Sequence, residues 1–132
     1  MPVEWTWYND QHTIIVFTFH DPWTLEEFYM ADSEAMQAIS RLHWTVDAIM
    51  DLSRASHAPG NLVSGGLNRF KRAASVPNTG SAVVVHASPV LRTFIRVIQK
   101  LLPKGKLRLA DNFTEAETIL ASIRNKRPQL EM

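Results

Sequence analysis

Short apolar segments alternate with segments of helical period along almost the whole chain, and this alternation limits the possible folds more than any other feature. The helical segments place apolar residues three and four positions apart, which is the stripe of an amphipathic helix. Strands that alternate with helices form a mainly parallel sheet with right-handed crossovers. The sequence therefore predicts an α/β fold with a single mixed, mostly parallel β-sheet flanked by helices. The strand-like runs cover residues 3–8, 12–19, 46–53, 81–87 and 107–110.

The predicted order of elements is β-β-α-β-α-β-α-β-α. Only the turn residues 9–11 separate the first two strands, so these strands predict an antiparallel hairpin at one edge of the sheet. Asp32 and Glu34 fall beside the apolar stripe of the first helix and are predicted to be solvated. Helix-start signals occur at Thr24 with Glu27, at Asn61, at Ser88 with Pro89, and at Thr114 with Glu117.

Length and composition are those of one globular domain. The 132 residues, 45% hydrophobic and 20% charged, suffice for a proper core, and residues 1–132 are predicted to form one domain with a frayed tail from residue 127. The absence of cysteine excludes disulfides and thiolate metal sites. The N-terminus lacks a secretory pattern, and no apolar run approaches the roughly 18 residues that span a bilayer. The sequence predicts a soluble, cytoplasmic protein without a membrane span.

Charge is nearly balanced, with 14 basic and 13 acidic residues and a net charge of +1. Such a balance argues against nucleic acid as a partner, because nucleic-acid binders usually carry a large basic excess. Acidic residues concentrate early in the chain, whereas basic residues gather after about residue 69. This asymmetry could indicate an anionic partner, although solvated helix faces explain it more simply. The basic residues concerned are Arg69, Lys71, Arg72, Arg92, Arg96, Lys100, Lys104, Lys106 and Arg108.

No motif in the sequence indicates catalysis. A serine, a histidine and an aspartate could be combined as a hydrolase triad, but no G-x-S-x-G turn exists to expose a nucleophile. Asp21, Asp51 and Asp111 each follow a strand and could hold Mg²⁺, yet a lone aspartate after each strand is a weak pattern. The five histidines show no pair at metal-ligand spacing. We therefore predict no catalytic residue, no metal and no cofactor.

The third strand ends in Asp51-Leu52-Ser53, and a polar loop and a helix follow it. Ligands of open α/β sheets bind beyond the carboxyl ends of the strands. We therefore predict a ligand or partner surface at this junction, although strand-end and cap residues of this kind occur in every such fold. The candidate residues are Asp51, Ser53, Ser56, His57 and Asn61.

The element order and Asp51-Leu52-Ser53 resemble the STAS domain family, the anti-sigma-factor-antagonist fold of the SpoIIAA type. Its members tend to read Asp-Leu-Ser, then a short loop, then Asp-Ser-Ser-Gly-Leu at the second helix. A partner kinase phosphorylates one serine there, and phosphorylation controls binding to an anti-sigma factor. The nearest counterpart here is Ser64-Gly65-Gly66-Leu67, and Leu62-Val63 stand where the family has aspartate and serine. Ser64 is therefore the only candidate for the phosphorylated or docking serine.

The resemblance implies a non-catalytic regulatory or protein-interaction module without the usual phosphoserine switch. It implies a protein partner of the anti-sigma-factor or kinase type, or a second copy of the chain in a homodimer. The alternative is a small-molecule or lipid-binding protein with a pocket between sheet and helices. The tryptophans are predicted to pack the hairpin against the first helix, or else to line such a pocket or a self-association surface. They are Trp5, Trp7, Trp23 and Trp44.

Overall fold

The computed structural model describes residues 2–127 and contains the predicted elements in the predicted order. The sheet order is β1-β2-β3-β4-β5, with β1 antiparallel to β2 and the other neighbours parallel. The prediction of a mixed, mostly parallel α/β sheet is confirmed. The strands are β1 (Val3–Trp7), β2 (Ile14–His20), β3 (Val46–Arg54), β4 (Thr79–Val85) and β5 (Leu107–Ala110). The helices are α1 (Leu25–Ser40), α2 (Leu62–Ala73), α3 (Pro89–Lys100) and α4 (Phe113–Asn125).

Both faces of the sheet are covered, which explains why its inner strands are apolar almost throughout. Alternate side chains of a strand point to opposite faces. Phe17 on β2, and the side chains of β3 and β4 that share its face of the sheet, pack against α1, α2 and α3 in the larger core. Val16, Ile49 and Val83 point the other way and pack against α4 in the smaller core. Within residues 2–127, no helix is both long enough and apolar enough to cross a membrane.

Two of the predicted helix starts are confirmed in detail. The backbone N–H of Glu27 donates to Thr24 Oγ1 at 3.1 Å, and the backbone N–H of Thr24 donates to Glu27 Oε1 at 2.9 Å. This reciprocal pair is the predicted capping box of α1. At α3, Ser88 Oγ accepts from the backbone N–H of Leu91 at 3.3 Å, and Pro89 is the first helical residue.

The predicted capping box of α4 is wrong. Asn112 caps this helix, because its side-chain oxygen accepts from the backbone N–H of Glu115 at 2.9 Å. Glu117 instead accepts a hydrogen bond from the hydroxyl of Tyr8 at 2.7 Å. This bond, aided by burial, raises the pKa of Tyr8 to about 12. The contact joins α4 to the end of β1.

Asp47 on β3 ties α4 to the sheet. Its carboxylate is fully buried and accepts from the backbone N–H of Ser81 at 2.8 Å. The guanidinium of Arg127 donates to both carboxylate oxygens at 2.9 and 3.2 Å, and Arg124 lies 3.8 Å away. A buried carboxylate of this kind requires partners for its charge and its oxygens. Arg127 belongs to the predicted frayed tail, whose residues 128–132 lie outside the described residues.

We expect Asp47→Ala to lower the free energy of unfolding by about 1–3 kcal/mol, because it leaves the buried Ser81 N–H without its acceptor and removes the partner of Arg127. Urea denaturation followed by circular dichroism measures this loss. The matched control is Asp111→Ala, which removes an ion pair to Arg92 whose aspartate side chain is 72% exposed. That change should cost less than about 1 kcal/mol. Equal losses in the two variants would contradict the structural role of Asp47.

Candidate functional site

The carboxyl ends of the parallel strands meet at one edge of the sheet, as the sequence predicts. An open depression of about 310 Å³ lies there. It brings together two of the predicted residues, Ser53 and Ser56, but Asp51, His57 and Asn61 do not line it. The polar side chains that line it are Asp21, Ser53, Arg54, Ser56, His86 and Ser88.

Asp21, which follows β2, holds the loop that follows β3. Its carboxylate accepts from the backbone N–H of Ser56 at 2.7 Å, from the Ser56 hydroxyl at 3.0 Å and from the backbone N–H of His57 at 3.1 Å. The backbone bond from Ser56 is the main reason why the pKa of Asp21 lies below its ordinary value. Trp23 Nε1 also donates to the carbonyl oxygen of His57 at 2.9 Å. The loop is therefore fixed to the end of β2 at two consecutive residues.

The side chains of Asp51 and Asn61 make no hydrogen bond to a distant part of the described chain, residues 2–127. The side-chain oxygen of Asp51 accepts from the backbone N–H of Ser53 at 3.0 Å, which shapes the end of β3. Asn61 lies at the cap position of α2, as predicted, but its side chain makes no capping hydrogen bond. Neither side chain by itself indicates a ligand site. Among residues 2–127, no group of three or more histidines, aspartates and glutamates could hold a metal ion.

Ser64 lies in the first turn of α2, where it is exposed to solvent. Its hydroxyl donates to the carbonyl oxygen of Asn61 at 3.3 Å. It does not line the depression. Leu62, which stands two residues before it, is buried in the core, so this first turn presents one exposed hydroxyl next to the polar loop.

The two consecutive glycines of α2 allow the helix to approach its neighbours closely. A Cβ atom at Gly65 would lie 2.6 Å from Leu25 Cδ1, and one at Gly66 would lie 2.7 Å from Ile98 Cδ1. The hydroxyl of Tyr29 on α1 also donates to the carbonyl oxygen of Gly65 at 2.7 Å. The position of α2, and hence of Ser64, depends on these contacts with α1 and α3.

A buried ion pair also joins α1 to α2. Arg69 Nε donates to Asp32 Oδ1 at 3.3 Å, and the two side chains are only 3% and 1% exposed. Burial raises the pKa of Asp32, and the positive charge of Arg69 opposes this rise. The prediction that Asp32 is solvated is therefore wrong. The position of Asp32 in the sequence indicated burial, since it lies four residues after Phe28 and three before Ala35, within the buried stripe of α1.

The interior between the sheet and the first three helices contains an apolar cavity of about 50 Å³. Ligand pockets are typically about 300–1,000 Å³, so this cavity does not favour the alternative of a small-molecule or lipid carrier. That alternative stays a prediction. Trp23 lines the cavity, is 4% exposed and packs against Phe19 at 4.8 Å between ring centroids.

The other tryptophans pack against the same core. Trp5 and Trp7 meet edge to face at 5.7 Å on β1 and are partly buried. Trp44 is partly buried against the same core and donates from Nε1 to the carbonyl oxygen of His12 at 2.8 Å. These contacts agree with the interpretation that the tryptophans serve packing.

Comparison of the fold with solved structures finds a match to the Bacillus cell fate determinant SpoIIAA in its phosphorylated form. The match has a TM-score of 0.56 and 15% sequence identity, and it covers 95% of this chain and 99% of that chain. No family model matches the sequence, and no curated protein matches it. The chain therefore has a SpoIIAA-like STAS fold, which confirms the predicted resemblance at the level of the fold.

We expect Asp32→Leu alone to lower the free energy of unfolding by about 3–5 kcal/mol, because it leaves the buried Arg69 without a counter-charge. The double variant Asp32→Leu/Arg69→Met should recover most of this loss, since apolar side chains of similar volume replace both charges. Guanidinium denaturation of the two variants and the parent chain measures the difference. A double variant no more stable than the single one would contradict this account.

We expect Asp21→Ala to speed amide hydrogen exchange at Ser56 and His57 by about tenfold, because both backbone N–H groups lose their acceptor. The matched control is Asp51→Ala, which should leave these two rates unchanged.

The same bonds predict a dependence on pH. The folded pKa of Asp21 lies below its unfolded value, so its stabilisation is fully present above the unfolded pKa and is lost as pH falls through the folded pKa. Exchange at Ser56 and His57, corrected for the intrinsic effect of pH, should therefore lose protection in the acid range. Equal protection in the parent chain and in Asp21→Ala would contradict the role of Asp21.

Proposed function

We propose that this chain is a non-catalytic regulatory module that binds a protein partner at the carboxyl edge of its sheet. The docking surface consists of the loop at residues 54–61 and the first turn of α2. The fold supports this proposal, because the likeness to SpoIIAA extends over almost the whole of both chains. SpoIIAA is a cell fate determinant with a phosphorylated form, which is a regulatory role.

The observation that carries the proposal is the loop held by Asp21. Ser53, Arg54, Ser56 and His57 are all exposed, yet hydrogen bonds to the carboxylate of Asp21 fix the backbone of Ser56 and His57. A surface that is already ordered loses little conformational entropy when a partner binds. An exposed polar loop with such a fixed backbone is therefore suited to protein recognition.

Ser64 extends this surface onto α2. The family motif has an aspartate and a serine where this chain has Leu62 and Val63, and Leu62 is buried. A kinase that recognises the aspartate and serine of the family motif would not find these polar groups in this chain. We therefore propose that Ser64 contacts the partner and that this chain lacks the usual phosphoserine switch. The partner is of the anti-sigma-factor or kinase type, or a second copy of the chain, and the encounter takes place in the cytoplasm.

A binding assay with the anti-sigma-factor kinases of the source organism tests this proposal. Isothermal titration should detect binding by the parent chain, and Ser64→Glu should weaken it by about tenfold, because a larger charged side chain enters the interface. Ser64→Ala should bind within about twofold of the parent chain. Ser75→Glu, at the other end of α2, is the matched control for the added charge and should also bind like the parent chain.

Incubation with the same kinases and ATP, followed by mass spectrometry, tests the absence of the switch. Phosphate on Ser64 that releases the partner would overturn that part of the proposal. Failure of every such kinase to bind, together with a monomeric chain in sedimentation, would overturn the docking proposal itself.

A further inference from the structure

A second surface lies at the opposite end of α2 from Ser64. A groove of about 670 Å³ opens between the C-terminal half of α2 and the segment that follows α3, at the amino ends of β4 and β5. Leu67 and Phe70 of α2 line one side, and Leu101, which directly follows α3, lines the other. Lys71 and Lys106 also line it, so the groove combines apolar walls with positive charge.

The apolar surface continues out of the groove along α3. Val90, Val97 and Leu101 are 57%, 43% and 61% exposed. Their spacing of seven and four residues places them on one side of the helix. Single exposed aliphatic residues are ordinary on a protein surface, whereas a contiguous apolar stripe that joins a groove is typical of an interaction site.

The chain segment that forms this groove contains basic residues but no acidic ones. Residues 52–110 contain no aspartate or glutamate but hold ten of the 14 lysines and arginines of the chain. Arg69 and Arg92 of this segment pair with Asp32 and Asp111. The salt bridges within residues 2–127 involve neither Lys71 nor Lys106, and both side chains are exposed. The basic rim is therefore available to carboxylates supplied from outside.

We propose that this groove binds an acidic amphipathic helix of a protein partner, whose apolar side chains enter between α2 and the segment that follows α3 while its carboxylates meet the lysines. This is the helix-in-groove mode of recognition. A nucleic acid offers no aliphatic face for Leu67 and Leu101, and a bilayer surface is too broad to enter such a groove. The site goes beyond the proposed function and does not depend on it, because it includes no residue of the docking surface.

The test is a titration of the full ¹⁵N-labelled chain with a synthetic peptide of about 14 residues, four helical turns of leucine and glutamate at amphipathic spacing. Saturable chemical-shift changes should centre on Leu67, Lys71, Leu101 and Lys106. The double variant Lys71→Glu/Lys106→Glu should weaken binding by about fivefold, and Leu101→Ser by about threefold. A peptide with lysine in place of glutamate should not bind.

The matched control is Arg96→Glu/Arg108→Glu, which changes the net charge equally at two exposed positions that do not line the groove. It should bind the acidic peptide within about twofold of the parent chain. Absence of saturable binding below about 1 mM, or equal weakening in the control, would overturn the proposal. So would groove-dependent binding of phosphatidylserine vesicles or duplex DNA in place of the peptide, or groove-dependent dimerisation in sedimentation.

Discussion

Asp47 connects three separate parts of the chain, and its buried carboxylate anchors the segment beyond α4 to the sheet. Its backbone N–H donates to Thr13 beside β2, while its side chain accepts from Ser81 on β4 and from Arg127 beyond α4. A Cβ atom at Gly80 would overlap with this carboxylate, so only glycine allows β4 to pass so close. Because α4 is held in this way, the second face of the sheet is shielded from water, which a mostly parallel sheet requires.

The order of all nine elements could be predicted from the sequence because each leaves a local pattern of apolar residues. The partners of the buried charges could not be predicted, because they lie far away along the chain. Asp32 pairs with a residue 37 positions later and Asp47 with one 80 positions later. Asp32 was assigned to solvent because it is charged, although its spacing from Phe28 and Ala35 places it within the buried stripe of α1. The predicted start of α4 was wrong for a different reason, since Asn112, two residues before the predicted cap Thr114, forms the cap.

The candidate site was predictable only in part. The topology requires Ser53 and Ser56 to lie at the carboxyl edge of the sheet, and both line the depression there. Sequence reasoning placed Asp21 at the same edge but did not include it in the predicted surface. Its bonds to Ser56 and His57 span 35 and 36 positions, so no local pattern indicates them. What the sequence could not show is that one carboxylate fixes the backbone of this loop at two consecutive residues.

Both proposed surfaces use α2, so the rigidity of this helix decides whether they influence each other. Tyr29 holds its first half through Gly65, and Asp32 holds its second half through Arg69. A shift of α2 along α1 would break the buried ion pair at a cost of about 3–5 kcal/mol. A partner at one end could move the helix only if it bound the shifted state more tightly by at least this amount. Coupling between the two ends of α2 therefore requires this ion pair to break, and while the pair is intact the helix stays fixed against α1.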